Sequence, residues 1–387
     1  MEHGGLIYLD NAATSYPKPP EVYGEVVKSL VQYGGNPGRG SHRLSMAASE
    51  KIFECRELAA KLFGVADVER IFFTLNATHG LNTVIKGLLR RGDHVLISDM
   101  EHNAVYRPIY KMAKKGQISY DVFKSFCGDP QRSASKICGD IARRLKKNTR
   151  MVICTHSSNI CSLSMPIREI GELCRRAGVL FLVDAAQSAG RERIAVDELH
   201  IDALCVPGHK GLYGIQGCGM VVLGRDISLD TLIEGGNGVD SLEGGMPDFS
   251  PERYEAGTLP TPAIAGLCEG LRFIRSIGEE TVAGRETELY RQARDRLLEI
   301  GGVRVYLPEY EGSTLLFNVD GMPADRVGEL LNGKGICVRS GYHCTALGHR
   351  TLGTSEGGGV RVSFGVFNDE RDTIRLCDAV KEIAGIG

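Results

Sequence analysis

The chain has 387 residues, 42% hydrophobic and 24% charged, with 46 Lys and Arg against 48 Asp and Glu. That length is more than one hydrophobic core usually organises, so we expect two domains. The net charge of −2 and the lack of a basic tract exclude a nucleic-acid footprint, and no apolar run approaches the ~18–20 residues that span a bilayer.

The chain opens MEHGGLIYLDNAATSYP, without the basic-then-apolar segment of a secretory leader, so a reducing, cytoplasmic location is expected. From about residue 20 to 260, short β-branched or aromatic runs alternate with longer helical patterns. Strands are predicted at residues 70–75, 94–98, 119–122, 150–156, 180–184, 203–206 and 220–223. Helical patterns between them include 45–63, 81–90, 134–146 and 167–176. Runs such as MVICT and LFLVD are continuously apolar rather than alternating, which fits strands covered on both faces. The order predicts an α/β domain built on a mainly parallel seven-stranded sheet. After Pro260 and Pro262 a long helical stretch (264–277, then 281–300) leads to strands at 304–306, 313–319, 336–339 and 360–364. Helices at 323–332 and 369–383 flank them, which predicts a smaller α+β domain. Glycine-rich patches at 235–238, 244–245 and 357–359 read as mobile loops. The 12 cysteines are scattered and none pairs as CxxC, so no metal site is expected and most read as small buried apolar residues.

Three constellations carry chemistry. In FFTLNATHGLN a strand ends near Thr74 and a helix is expected from about Leu81, so Asn76, Ala77, Thr78, His79 and Gly80 form a turn. Amide groups at a helix start, with a small hydroxyl among them, make an anion site; a plain N-cap at Thr78 explains the same residues. In LFLVDAAQSAG, Asp184 ends a buried strand, where a carboxylate needs a cationic partner or strong donors; the pyridinium of pyridoxal phosphate (PLP) is one such partner, and a turn-capping Asp is the plainer alternative. Gln187 follows one turn later. In VPGHKGLYGIQGCG, Lys210 lies past another short apolar strand in a glycine-rich turn, where desolvation and nearby cations keep an amine nucleophilic enough to hold PLP as a Schiff base.

The ordered run YLDNAATS, NPGRGSHRLS, NATHGLN, MEHNAV, THSSNICS, VDAAQSAG, GHKGLYG, EAGTLPTP, VRSGYHC and VRVSFGVFN resembles the class V aminotransferase family of fold-type I PLP-dependent transferases, and within it the cysteine desulfurase and selenocysteine lyase group. The resemblance implies a large PLP-binding α/β domain over residues 18–271 and a small α+β domain from 1–17 and 272–387 that carries a mobile Cys344 loop. It implies Lys210 as the Schiff-base lysine, Asp184 on the pyridine nitrogen and His102 stacked on the ring. Asn159 and Gln187 would face the substrate side and the ring 3-oxygen, with Asn76, Ala77, Thr78 and His209 around the phosphate. Thr258 would reach the phosphate from a neighbouring subunit, which implies a homodimer with shared sites. Arg361 would bind the substrate carboxylate, with Ala13 and His42 on the substrate side and Arg39 beside His42. One departure stands out: the family usually places Ser or Thr where this chain has Pro207, which offers neither a hydroxyl nor an N–H.

The lysine identifies a cofactor and leaves the reaction open. Cys344 lies in a polar stretch with Arg339 and His343 before it and His349 and Arg350 after it. Cationic surroundings favour thiolate, and the resemblance makes Cys344 the nucleophile that attacks the substrate sulfur. The expected reaction is conversion of L-cysteine to L-alanine, with Lys210 moving the Cα proton, His102 carrying a proton to or from the substrate thiol, and a Cys344 persulfide passed to a sulfur-acceptor protein. Open alternatives are L-selenocysteine as substrate, another class V reaction (an aminotransferase or a different C–S lyase), and a non-catalytic sulfur-carrier scaffold, against which Lys210 speaks.

Overall fold

The computed structural model describes residues 5–38 and 40–385. Along the chain its strands are β1 (Ile7–Tyr8), β2 (Ile71–Thr74), β3 (His94–Ser98), β4 (Ser119–Phe123), β5 (Thr149–Thr155), β6 (Leu180–Asp184), β7 (Ala203–Pro207), β8 (Gly219–Leu223), β9 (Val303–Tyr306), β10 (Thr314–Val319), β11 (Ile336–Cys337), β12 (Arg339–Gly341) and β13 (Gly359–Ser363).

The continuously apolar runs lie inside a seven-stranded sheet of order β2–β8–β7–β6–β5–β3–β4. The strands from β7 through β4 are parallel, while β8 runs antiparallel between β7 and β2. Alternation along each strand divides the side chains between two faces. Val152, Cys154, Phe181 and Val183 pack into one apolar cluster, and Met151, Ile153 and Leu182 into another on the opposite face. Both faces are therefore covered, as an unbroken apolar strand requires.

The second sheet, β12–β13–β10–β9, is antiparallel, and β1 pairs with β11 in parallel beside it. Its apolar cluster gathers Ile7 and Leu9 from the start of the chain with Leu289, Leu297, Phe317, Val362 and Leu376. The expected single strand over 336–339 is in fact two. The amide groups of Ile7 and Leu9 take the carbonyls of Gly335 and Cys337, while Arg339 turns to pair with Arg361. The chain's own amino-terminal segment thus claims half of that strand.

Two further expectations change at the element boundaries. The helix expected from Leu81 starts a turn earlier, at Ala77, because Asn76 rather than Thr78 is its N-cap and accepts the His79 N–H at 2.9 Å. The glycines at 357–359 form a tight crossing instead of a free loop. Gly359 opens β13, and a Cβ on Gly358 would fall 2.3 Å from the Gly341 carbonyl oxygen. Among the described residues no helix is long and apolar enough to cross a membrane.

Candidate active site

The carboxyl ends of β3, β5, β6 and β7 point to one cavity of ≈ 300 Å³, which the second sheet closes from above with Arg339 and Arg361. Open α/β sheets bind ligands at this end, beyond the last residues of their strands. Of the residues expected from sequence, Ala13, Asn76, Ala77, Thr78, His102, Asn159, Asp184, Gln187, His209, Lys210 and Arg361 line it. A larger cavity, ≈ 500 Å³ beside Arg175, His200 and Asp202, lies at the opposite, amino ends of β6 and β7.

Asp184, the last residue of β6, is 3% exposed and accepts the Ala186 N–H on Oδ1 at 3.0 Å. Burial raises its pKa, and the Ala186 N–H and the Lys210 charge pull it back. Lys210 follows β7, and burial with the Arg361 charge pushes its amine down to about 8 against the pull of Asp184. Its backbone is held from behind by the amino-terminal segment. Ser15 Oγ donates to the Lys210 carbonyl at 2.8 Å, and Lys18 Nζ donates to the His209 carbonyl at 2.7 Å. Two glycines let this turn pack against the one after Asp184. A Cβ on Gly211 would lie 2.3 Å from the Ala189 carbonyl oxygen, and one on Gly190 2.2 Å from that of Gly211.

The helix Ala77–Leu88 aims its amino terminus at the same space, so the Ala77 and Thr78 amides and the Thr78 hydroxyl face an anion-sized end of the cavity. His209 Nδ1 is buried there with no hydrogen-bond partner. Burial with the charges of Lys210 and Lys18 holds the His209 ring neutral, its pKa down to about 4. His102 caps the helix Asn103–Lys114, its Nδ1 accepting the Ala104 N–H at 3.0 Å. That contact leaves the ring hydrogen on Nε2, and burial with the Lys210 charge pushes the His102 pKa down to about 4.

Arg361 is 1% exposed and paired through Nη2 with Asp10 at 2.5 Å. Its Nη1 donates to the Asn159 carbonyl at 3.0 Å, while Nε is buried without a partner. Asn159 Nδ2 in turn donates to the His343 carbonyl at 2.7 Å. Gln187 Nε2 donates to the Ala12 carbonyl at 3.0 Å.

Cys344 stands at the rim of the cavity, exposed, with Arg339 Nη2 3.7 Å from its sulfur. His343 and Cys344 both have left-handed backbones, at φ 50° and 58°. Such a conformation persists only where the surroundings hold it. Here Asn103 N–H donates to the Cys344 carbonyl at 2.7 Å and Thr345 Oγ1 to the Glu101 carbonyl at 2.9 Å. The expected ring of cations around the thiol is thinner than the sequence suggested. His343 is buried and pushed down to about 3, and burial also lowers His349, so both rings are neutral and Arg339 is the cation in contact with the sulfur.

His42 and Thr258 do not line the cavity. His42 is exposed and caps the helix Arg43–Leu62, and Thr258 is exposed on a loop. Arg39 lies outside the described residues. Sequence reasoning passed over Thr155, Ala186 and Asp10, and above all Glu101. That carboxyl is fully buried under His102, its Oε1 taken by Ser98 Oγ at 2.5 Å and the Thr155 N–H at 2.8 Å. Burial pushes its pKa up to about 8. Within MEHNAV the resemblance singled out His102, and the neighbouring glutamate gave no signal of its own.

The chain matches the aminotransferase class-V family over residues 7–376. It is 33% identical to a probable cysteine desulfurase of Methanothermobacter thermautotrophicus, over 98% of this chain and 95% of that one. It is 30% identical to a cysteine desulfurase of Haloferax volcanii, over 97% and 88%. Among solved structures it superposes on the apo cysteine desulfurase of Thermococcus onnurineus NA1 with a TM-score of 0.88 at 30% identity, covering 98% and 95% of the two chains. A cysteine desulfurase from Escherichia coli shares the fold, with a TM-score of 0.85 at 23% identity over 98% and 94%.

Proposed function

The chain belongs to the class-V aminotransferase family, and on that footing we propose that it is a PLP-dependent cysteine desulfurase, which converts L-cysteine to L-alanine and leaves the sulfur on Cys344. The observation that carries the reading is the convergence of Lys210, Asp184, a helix amino terminus and Arg361 on one cavity, with an exposed cysteine at its rim.

The donor set fits PLP. The Ala77 and Thr78 amides, the Thr78 hydroxyl and the unpartnered His209 Nδ1 would hold its phosphate. Asp184 would keep the ring nitrogen protonated, and Lys210 would carry the cofactor covalently. His102 would lie over the ring, with Gln187 and Asn159 toward its substrate side. Thr258 would reach the phosphate of a second copy in a homodimer. Pro207 lines the cavity without a donor, which leaves the phosphate to the helix amides and His209.

When bound, PLP supplies an electron sink for charge released at the substrate Cα. The side chains of the chain divide the remaining work. Arg361 takes the substrate carboxylate, for which its unpartnered Nε is available; the Asp10 pair fixes the plane of the guanidinium. Lys210, with its amine near 8, holds roughly a tenth of its population neutral at pH 7 and can move the Cα proton. His102, held neutral with Nδ1 taken by the Ala104 N–H, presents Nε2–H as a hydrogen-bond donor toward the reacting atoms and orients them without giving up its own proton. Cys344 as thiolate attacks the substrate sulfur: the S–S bond forms as the Cβ–S bond breaks. The electron pair of that bond stays with carbon, which picks up protons to become alanine, and the sulfur remains as a persulfide for a protein acceptor.

The test is alanine formation from L-cysteine with dithiothreitol as sulfur acceptor, in wild type and Cys344→Ala. The variant should lose about 10²-fold or more in turnover while keeping the visible absorbance of bound PLP. Equal turnover in both would remove Cys344 from the mechanism.

A further inference from the structure

Cys344 is tied to one end of the helix Asn103–Lys114, since its carbonyl accepts the Asn103 N–H. From there a track of half-buried tyrosines leads to the exposed Tyr110 on that helix. Arg350, six residues past Cys344 and exposed, stands close enough to Tyr120 to bear on its hydroxyl. The Tyr120 ring lies 6.4 Å from that of Tyr106, which lies 5.9 Å from that of Tyr110. Tyr110 is 48% exposed. About 18 Å from Asn103, at the other end of the helix, a groove of ≈ 480 Å³ opens. The buried Leu89 and Pro108 and the half-buried Met112 form its floor, with exposed Lys86, Arg91, Lys111 and Lys115 around them. Among the described residues one ion pair stands there, Arg90 with Asp230 at 2.9 Å, and the other cations have no carboxylate within reach. Helix macrodipoles favour cations in a last turn, which accounts for Lys86, Lys111 and Lys114. They account for neither Arg91 and Lys115 nor the apolar lining, and a chain of net charge −2 does not collect cations on one groove by bulk composition. Exposed Tyr110 and Arg91 within a ring of cations of one sign supply residue types that carry binding energy at protein interfaces.

We propose that this groove docks an acidic segment of the protein that receives the Cys344 sulfur. Carboxylates of the partner meet the rim lysines and arginines, its apolar side chains rest on Met112 and the exposed part of Tyr110, and the tyrosine track sets its thiol against Cys344. Unpaired rim charges of one sign steer an oppositely charged partner and make association sensitive to salt. The proposal rests on the desulfurase reading for the sulfur, but not for the docking.

The two are tested separately on the PLP-loaded protein. A fluorescein-labelled oligo-glutamate peptide is titrated at low ionic strength by anisotropy against wild type, Lys111→Glu/Lys114→Glu/Lys115→Glu and the corresponding triple Gln variant, which keeps the helix free of new anions at its carboxyl end. Affinity should fall about tenfold or more in the Glu variant and by less in the Gln variant, and salt should weaken wild-type binding. A second peptide carrying a cysteine after the glutamates should take sulfur from Cys344 about tenfold faster than its oligo-lysine counterpart. The triple variants should lose that preference while alanine formation with dithiothreitol is unchanged. Equal peptide affinity in wild type and both variants overturns the proposal, and so does tighter binding of single-stranded RNA of equal charge. If no alanine forms from L-cysteine, the desulfurase reading has failed, and the anisotropy series still decides the docking surface.

Discussion

At the scale of single residues, Lys210 and Asp184 could be read from sequence because each ends a run whose burial is itself legible. The carboxylate that ends LFLVD and the lysine in a glycine turn after LCVP stand where burial makes a charge costly without a partner. Glu101 and Lys18 are as deeply buried and went unread, since their polar partners, Ser98, Thr155, Ser15 and the His209 carbonyl, come together only in the fold. The same blindness made His343 and His349 look like cations beside Cys344. Their spacing shows a pair of imidazoles, but only the structure shows the burial that keeps them neutral. The low pKa of Lys210 has a direct consequence. An amine attacks an aldehyde only when neutral, and an amine titrating near 8 gains its neutral form between pH 7 and 9. The rate at which PLP-free protein captures added PLP, followed by visible absorbance, should rise about tenfold from pH 7 to 9 and then level off. A rate still climbing past pH 10 would mean an unperturbed lysine, and Lys210→Ala should show no covalent band at any pH.

At the scale of elements, the strands of the seven-stranded sheet lie close to their predicted places, because continuous apolar runs bounded by turns leave little choice of register. The misread boundaries share a cause. Residues 336–339 divide because a segment more than 300 positions away pairs with half of them, and the first helix of the site starts early because Asn76 outcompetes Thr78 as cap. Neither competition is visible locally. The turn that presents Lys210 depends on close backbone approach, so Gly211→Ala should force that turn off the Ala189 carbonyl. We expect a loss of about 1–3 kcal/mol in stability and faster dissociation of PLP on dilution. Gly139→Ala, in the helix Ala134–Arg144 with open space around its Cα, should be neutral or slightly stabilising. If Gly211→Ala behaves like Gly139→Ala in both melting and PLP retention, the close approach does not position Lys210.

At the scale of the whole molecule, the site belongs to neither sheet alone. The seven-stranded sheet supplies the anion end, Asp184 and Lys210; the four-stranded sheet supplies Arg361 and Arg339; the first residues of the chain supply Asp10, Ala12 and Ala13. Sequence order could name these parts but not the joint between them, in which Asn159 links Arg361 to the carbonyl of His343. That joint puts the thiol turn and Arg361 on one framework, and Cys344 is the exposed cysteine among the 12 of the chain. The central claim is that this one thiol receives the sulfur. Mass spectrometry of peptides from the PLP-loaded protein, quenched after reaction with L-cysteine and no added thiol, tests it most directly. The account predicts that the peptide containing Cys344 gains the mass of one sulfur atom, that the other cysteines stay unchanged, and that Lys210→Ala shows no gain. Alanine formed with no sulfur on Cys344, or with sulfur on a different cysteine, would contradict it.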